Sequence, residues 1–294
     1  INSSPALNFD GVDDTLFINS FNINNLLGNV GSTKNNATIF IVQKVDTIQN
    51  SSSFAWYDGA NSQRFSSHAY WSNNSLYFDF GTCCNSDGRF LSNIGTTQPT
   101  VLSMMKNSNN LYVWQNSASI QNDYVGTNLA TSSLQDGTST FIISDPFKGK
   151  IGEVIIYKEA LTNAQRIAVE NNLKAKWGIQ NACPASSLSN ASHGSKTIYM
   201  SGETATCNTG YSSSFETPTN PTCNNGTWSS NCYLQCQDPP LSGYLQLPLP
   251  VAPYNHNQTI NCINYNACET SGIPIAYYTT CINGSWNCAC TYYR

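Results

Sequence analysis

Aromatic rings and polar side chains are interleaved between residues 56 and 71. Rings stack on the C–H faces of sugars, while carboxylates and amides hydrogen-bond sugar hydroxyls. The stretch therefore predicts a glycan-binding site, although alternate aromatics also fill the core between two sheets. In that alternative Trp56 and Trp71 lie in the core, whereas the adjacent Tyr57 and Tyr70 face outward. The candidate glycan-binding residues are Trp56, Tyr57, Asp58, Arg64, Tyr70 and Trp71, with His68 beside them.

Side chains that could act as nucleophiles or bind a metal ion are scattered along the chain. His68, His193 and His256 lie far apart, with no H-E-x-x-H pattern and no Cys/His spacing typical of zinc sites. A lone histidine is usually part of a polar surface. No serine stands in a G-x-S-x-G turn. The sequence therefore contains no catalytic constellation, and it favours a protein that is not an enzyme.

The twelve cysteines fall into two groups. Cys83 and Cys84 are adjacent, and we favour a vicinal disulfide over free thiols or bonds elsewhere, because no other cysteine precedes residue 180. The other ten lie beyond residue 180, in a segment with very few charges. Small domains bury too little surface to be stable unaided, so this segment predicts disulfide-stapled modules. Disulfides require an oxidising compartment, and we expect the protein outside the cell or at its surface.

The first 180 residues predict an all-β sandwich with a helix at its end. Turn residues separate β-branched and aromatic runs that mostly alternate. The runs are ALNFDG, DTLFINS, ATIFIVQKV, SFAWYDG, SLYFDFG, TVLSMMK, NLYVWQN, STFIISD and EVIIYKE. A helix is predicted at about 163 to 176, where Thr162 and Gln165 form a capping box and Gly178 follows the end. Its expected apolar stripe is Leu161, Ala164, Ile167, Ala168 and Leu173.

Composition and hydropathy argue against a nucleic-acid partner and against a membrane-spanning segment. Charged residues make up 10% of the chain, the net charge is −4, and no cluster of Lys and Arg is present. These features argue against nucleic acid as a partner. No apolar run approaches the ~18 residues that span a bilayer. The chain begins at Ile1, and we expect it to be processed or trimmed, with a signal or anchor lost.

Three segments resemble the concanavalin A-like jelly rolls of the laminin-G type. They are ALNFDGVDD, FDFGTCCNSDGRF and KGKIGEVIIYKEALTNAQRIAVENNLKAKWGI. In the last segment a strand is followed by a helix that ends in Lys176, Trp177 and Gly178, as in that family. The resemblance covers about residues 5 to 180. It implies two curved antiparallel sheets of roughly 12 to 14 strands, and we assign 1–180 to this jelly roll.

The remaining chain resembles two sushi, or complement-control, modules, at 181–233 and 234–294. The first matches at Cys183-Pro184, Gly210-Tyr211 after Cys207, Trp228 after Cys223, and Cys232, and the second matches at Cys236, Cys262, Cys281, Trp286 and Cys288. In that family the first cysteine pairs with the third and the second with the fourth. The resemblance therefore implies Cys183–Cys223, Cys207–Cys232, Cys236–Cys281 and Cys262–Cys288. Cys268 and Cys290 are additions that are left to join each other.

The laminin-G resemblance also bears on cations and on catalysis. Such domains often hold Ca²⁺ at the rim, and the turn residues Asp10, Asp13 and Asp14, or Asn85 and Asp87, supply oxygen ligands, with plain Asx turns as the alternative. Concanavalin A-like glycoside hydrolases carry E-x-D-x-x-E on one strand, a run that this chain lacks. Glu153 and Glu159 are the nearest substitute.

These observations favour an extracellular surface adhesin or recognition protein that binds a glycan or glycoprotein surface through its jelly roll. A structural subunit of an extracellular filament, pilus or sheath, packing against copies of itself, is the alternative. A glycosidase with an unfamiliar carboxylate arrangement is a weaker one.

Overall fold

The computed structural model describes residues 1–28, 33–59, 62–82, 84–124, 126–194, 196–212 and 220–234, and the backbone of three further strands between residues 259 and 289. The chain divides into two compact units. The first comprises Ile1–Ala185 with Ser195–Ser201, and the second comprises Ser186–Gly194 with Gly202–Arg294. No helix in the described part of the chain is long and apolar enough to cross a membrane. The division into 1–180, 181–233 and 234–294 stays a prediction.

Two antiparallel six-stranded sheets form the first unit, as the strand pattern predicts. The first sheet has the order β1-β12-β3-β8-β9-β10 and the second β2-β11-β4-β5-β6-β7. The strands of the first sheet are β1 (Leu7–Asp10), β3 (Asn36–Val45), β8 (Thr100–Asn107), β9 (Asn110–Gln115), β10 (Ala118–Ile120) and β12 (Lys148–Tyr157). Those of the second are β2 (Leu16–Asn22), β4 (Ser52–Asp58), β5 (Gln63–His68), β6 (Ser75–Thr82), β7 (Arg89–Asn93) and β11 (Thr138–Asp145).

The core lies between the two sheets and is rich in phenylalanine. Neighbouring strands of the second sheet bring Phe54 within 5.0 Å of Phe65, and Phe65 within 5.6 Å of Phe80, measured between ring centroids. Ile39 and Met104 belong to the same buried cluster from the first sheet. Since side chains alternate along a strand, the residues between these core positions face away from the core. This alternation creates the outer face described below.

Helix α2 (Asn163–Trp177) follows β12 and begins with the predicted capping box of Thr162 and Gln165. Its Leu173 and Trp177 pack with Phe40, Val42 and Val101, which point outward from β3 and β8. The helix therefore covers the outer face of the first sheet. A four-residue helix, α1 (Asn24–Leu27), follows β2, and a 3-10 turn spans Ala185–Ser187.

The predicted apolar stripe of α2 is confirmed at Leu161 and Leu173, which pack on the first sheet, and is wrong at Ala164, Ile167 and Ala168, which are exposed. Ile167 is 37% exposed, and the buried residues of the helix are Arg166, Glu170, Leu173, Lys174 and Trp177. Arg166 forms an ion pair with Glu170 and stacks over the ring of Trp114 at 4.0 Å. Mutual neutralisation and ring stacking allow both charges to be buried. A hydropathy pattern cannot register such a pair.

Short strand pairs follow α2. In the first unit β13 (Cys183–Pro184) pairs with β15 (Ile198–Tyr199). In the second unit the pairs are β14 (Ala191–Ser192) with β16 (Thr206–Cys207), β17 (Tyr211–Ser212) with β20 (Tyr233–Leu234), and β18 (Cys223–Asn224) with β19 (Thr227–Trp228). The strands β21 (Thr259–Ile263), β22 (Ala276–Ile282) and β23 (Ser285–Ala289) form a three-stranded sheet.

A disulfide joins Cys207 to Cys232, which is the second-with-fourth pairing that the sushi resemblance implies. Cys84, Cys183 and Cys223 are each disulfide-bonded as well. Cys83, Cys236, Cys268 and Cys290 lie outside the described residues, as do the side chains of Cys262, Cys281 and Cys288. The predicted pairings that involve any of these seven cysteines, and the pairing of Cys183 with Cys223, stay predictions.

Candidate functional site

The outer face of the second sheet gathers aromatic and charged side chains. Strand register places Tyr57 of β4 beside Arg64 of β5, His68 of β5 beside Tyr77 of β6, and Asp79 of β6 beside Arg89 of β7. The intervening residues Trp56, Phe65, Phe78, Phe80 and Phe90 belong to the core cluster. We call the set Tyr57, Arg64, His68, Trp71, Tyr77, Asp79 and Arg89 the aromatic–arginine face.

Each of the two tyrosines on this face lies under an arginine. The guanidinium carbon of Arg64 is 4.9 Å from the ring centroid of Tyr57, and that of Arg89 is 4.8 Å from the centroid of Tyr77. Trp71 joins them through edge contacts, with its ring 6.1 Å from Tyr77 and 5.0 Å from His68. The two tyrosines, the two arginines and Trp71 are partly exposed, whereas His68 and Asp79 are buried. The face therefore offers ring surface and N–H donors side by side.

Asp79 is the fully buried anion of this face. Its carboxylate accepts hydrogen bonds from Arg89, at 2.6 Å from Nε and 2.8 Å from Nη2, and from Ser66 Oγ at 3.4 Å. His68 Nε2 lies 3.5 Å from the same carboxylate. Burial by itself would raise the pKa of Asp79, but the hydrogen bonds from Arg89 and His68 outweigh it, and the net pKa is lowered. Asp79 is therefore ionised and orients both neighbours.

A second chain of hydrogen bonds extends from His68 to Tyr57. Ser52 Oγ lies 2.9 Å from His68 Nδ1 and 3.3 Å from the phenol oxygen of Tyr57. Burial raises the pKa of Tyr57, although the Ser52 hydrogen bond acts in the opposite sense. The phenol thus stays neutral and keeps its proton for hydrogen bonding. One connected network therefore fixes the spacing of the two tyrosines. It consists of Tyr57, Ser52, His68, Asp79 and Arg89.

The structure separates the sequence-predicted glycan residues into two groups. Tyr57 and Arg64 lie on the outer face, and Trp71 joins them rather than the core, where the alternative placed it. Trp56 is fully buried in the core cluster, and Asp58 is buried at the end of β4. The outward orientation predicted for Tyr70 is wrong, because it is fully buried. Strand β5 ends at His68, so its alternation does not extend to Tyr70.

Five residues of the face and its network were missed or misjudged from the sequence. Tyr77 and Asp79 had a readable signal, because they alternate with Phe78 and Phe80 in SLYFDF. Arg89 and Ser52 gave no signal in the sequence, since each acquires its role only through residues that the fold brings next to it. His68, expected as ordinary polar surface, is 4% exposed and links the two halves of the network.

The first predicted cation site comes together, whereas the second forms a turn. The carboxylates of Asp10, Asp13 and Asp14 have ligand atoms within 4.8 Å of one another and are exposed. Asp10 and Asp14 also accept backbone N–H groups of the turn, at 2.8 and 3.0 Å. These three residues could contribute hard oxygen ligands to Ca²⁺, which takes 6–8 of them, so calcium binding stays a prediction.

At the second predicted cation site, Asn85 Oδ1 accepts the N–H of Asp87 at 3.1 Å, which is an Asx turn.

Glu153, considered as a catalytic carboxylate, is ion-paired with Lys176 and accepts the indole N–H of Trp177 at 3.4 Å. Its interactions anchor α2 to β12.

No model of a protein family matches the chain, and no curated protein does. Among solved structures it is similar to domain 4 of AbnA, a GH43 extracellular arabinanase from Geobacillus stearothermophilus in complex with arabinotriose, with 22% identity over 47% of this chain and 68% of that one and a TM-score of 0.35. It is similar to the IT-sialidase CBM40 of Ruminococcus gnavus bound to α2,3-sialyllactose, with 13% identity over 46% and 82% and a TM-score of 0.36.

A third similar structure is the Trypanosoma rangeli sialidase in complex with the inhibitor DANA, with 11% identity over 47% of this chain and 23% of that one and a TM-score of 0.34. The sequence-based conclusion that the chain is not an enzyme is therefore contradicted, because an enzyme is among the structures similar to it. The likeness spans less than a quarter of the sialidase, and it assigns no reaction to this chain.

Proposed function

We propose that the first unit binds carbohydrate on the aromatic–arginine face. One observation carries the proposal: Tyr57, Trp71 and Tyr77 are partly exposed on one side of the sheet, and two arginines stack over the rings of the two tyrosines. Exposed ring area suits the C–H faces of a sugar, and guanidinium and phenol groups suit its hydroxyls. This combination supports binding of a saccharide along strands β4 to β7.

The hydrogen-bond network supports the proposal because it orders the face before a ligand arrives. Asp79 holds Arg89 through two hydrogen bonds, and Ser52 holds the phenol of Tyr57. Side chains that are already fixed lose little rotamer freedom on binding, so more of the contact energy appears as affinity.

We also propose that the chain acts outside the cell as a surface recognition protein or adhesin. Disulfide bonds at Cys84, Cys183, Cys207, Cys223 and Cys232 support an oxidising compartment. A sandwich followed by a helix that ends in Lys176 and Trp177 supports the laminin-G assignment of 1–180. The Cys207–Cys232 bond supports a sushi-type module at 181–233, and the assignment of 234–294 rests on its cysteine spacing.

Glycan-array binding of the full chain tests the carbohydrate proposal. We expect Tyr57→Ala and Tyr77→Ala each to lower the array signal at least tenfold. Tyr157→Ala is the matched control, because Tyr157 is also a partly exposed tyrosine but lies on the first sheet. Binding that survives both Tyr57→Ala and Tyr77→Ala, or that is lost equally in the control, would contradict the proposed site.

A further inference from the structure

The two sheets have four edge strands, namely β1 and β10 in the first sheet and β2 and β7 in the second. An edge strand presents unpaired N–H and C=O groups that can pair with another chain, so proteins shorten, charge or cover such edges. Strands β1 and β10 are short, with four and three residues. Strand β7 is covered, because the N–H of Leu91 donates to Asn122 at 3.1 Å and its carbonyl accepts the N–H of Asp123 at 2.7 Å.

Strand β2 is neither short nor covered, and a bulge near Ser20 is its one such protection. Its seven residues, LFINSFN, include no charge, proline or glycine. Among the described residues, no hydrogen bond other than the ladder with β11 reaches the backbone of residues 16–20. Three consecutive apolar side chains are also exposed, Leu16 by 49%, Phe17 by 61% and Ile18 by 56%. This strand is the longest of the four edges and has the largest number of apolar residues, and the described part of the chain leaves it open.

A bulge sets the part of β2 that can pair. The register with β11 shifts between Ser139 and Phe141, and Ser20 on β2 has a positive φ of 54°. The straight segment is therefore Leu16 to Ile18, with Phe17 at its centre. A partner strand must match this short segment.

The charges near β2 favour a second copy of the same strand as the partner. In an antiparallel pair centred on Phe17, Leu16 lies opposite Ile18, and the Asp14 residues of the two copies lie at opposite ends of the pair. Acidic side chains are thus kept apart, whereas like charges directly opposite each other destabilise a strand pair. Apolar side chains face apolar side chains through the middle. The strand is therefore complementary to itself in hydrophobicity, and no like charges face each other in the pair.

We propose that two copies of this protein pair through β2, antiparallel and centred on Phe17, and so join two six-stranded sheets into one. This inference is independent of the proposed carbohydrate site. The contact is isologous and closes at a dimer, so it does not by itself build a filament. The contact is short, with three residues in register on each copy, and such small interfaces are weak and transient.

Sedimentation velocity of the full oxidised chain from about 1 µM to 1 mM tests the proposal. We expect a reversible monomer–dimer equilibrium, and we expect Phe17→Lys to weaken it at least tenfold by placing two lysines opposite each other. Leu129→Lys is the control, since Leu129 is exposed by 55% and lies away from β2. Near-ultraviolet circular dichroism verifies that each variant is folded.

A mixture of Phe17→Lys and Phe17→Glu chains tests the register. In the centred pair a lysine faces a glutamate, so the mixture should recover the dimer that neither variant forms alone. A chain that stays monomeric at 1 mM, or a dimer that persists undiminished in Phe17→Lys, would overturn the proposal. Failure of the mixture to dimerise would overturn pairing centred on Phe17.

Discussion

Asp79 and Arg89 face each other across β6 and β7 through two hydrogen bonds of 2.6 and 2.8 Å, with the carboxylate fully buried. The Arg89 guanidinium of this pair stacks over the ring of Tyr77. A charge buried inside the sheet thus determines where a partly exposed side chain of the outer face lies. Stability and binding are coupled at this point.

Asp79→Asn should destabilise the first unit by about 3 kcal/mol at pH 7, because it leaves Arg89 without its anion. The folded-state pKa of Asp79 is lowered, so its stabilising contribution is present above the unfolded pKa of about 3.9 and is lost as pH falls through the folded value. The difference from wild type should therefore shrink at pH 3. Denaturant unfolding at both pH values measures it, with Asp46→Asn as a control in an exposed pair with Lys44.

Ser52→Ala should weaken glycan binding about three- to tenfold while changing stability by about 1 kcal/mol. The variant removes the hydroxyl that lies between Tyr57 and His68, so the Tyr57 ring loses its fixed position. Titration calorimetry with the glycan that gives the strongest array signal measures the change. Ser103→Ala is the matched control, because the Ser103 hydroxyl is buried on the first sheet with no hydrogen-bond partner among the described residues. Unchanged affinity in Ser52→Ala would show that the network does not position Tyr57.

Lys106→Met should stabilise the protein by about 1–3 kcal/mol at pH 7. Lys106 is buried, its ammonium group donates to the carbonyl of Ala130, and burial lowers its pKa to about 8. The charged form is thus penalised in the folded state. That penalty is fully present below pH 8 and disappears as pH rises toward the unfolded pKa of about 10.4. Unfolding at pH 7 and pH 10 should show the gain shrinking, and a gain independent of pH would contradict the explanation.

Glu170→Gln should destabilise the packing of α2 by about 3 kcal/mol, because it leaves the buried Arg166 guanidinium without its ion-pair partner. Glu170 also accepts a hydrogen bond from Ser117 at 2.8 Å, which ties the helix to the first sheet. Thermal and denaturant unfolding measure the loss. The double variant Arg166→Met with Glu170→Leu should recover most of it, since apolar residues of similar volume can replace a buried pair. No recovery would contradict the explanation by an unpaired charge.

Local rules predicted the frame of the first unit well. All nine strand segments read from alternation are strands, and the capping box placed the start of α2 at the observed residue. Strand β5 was not predicted because QRFSSH contains a single Phe, Tyr or Trp residue, Phe65. Strands β7 and β10 were not predicted because they are short. Their existence depends on pairing with neighbours, which no local pattern encodes.

The candidate site was predicted only in part, for a related reason. Tyr57 follows from strand alternation and Arg64 from its nearness to the aromatic residues in the sequence, whereas Tyr70 was misjudged because the end of β5 could not be placed. Asp79 is read as an ordinary surface acid until Arg89 and His68 are brought to it from two other strands. Contacts between residues distant in the chain decide which polar groups are buried.

The open edge of β2 has a consequence for how the protein would bind to a surface that carries many glycans. The twofold axis of an antiparallel strand pair is perpendicular to the sheet, so both copies would present Tyr57 and Tyr77 in the same direction. Two weak sites held in this way act as one bivalent surface, and the second contact forms at a local concentration in the millimolar range. A densely glycosylated surface would then retain the protein far longer than an isolated saccharide could.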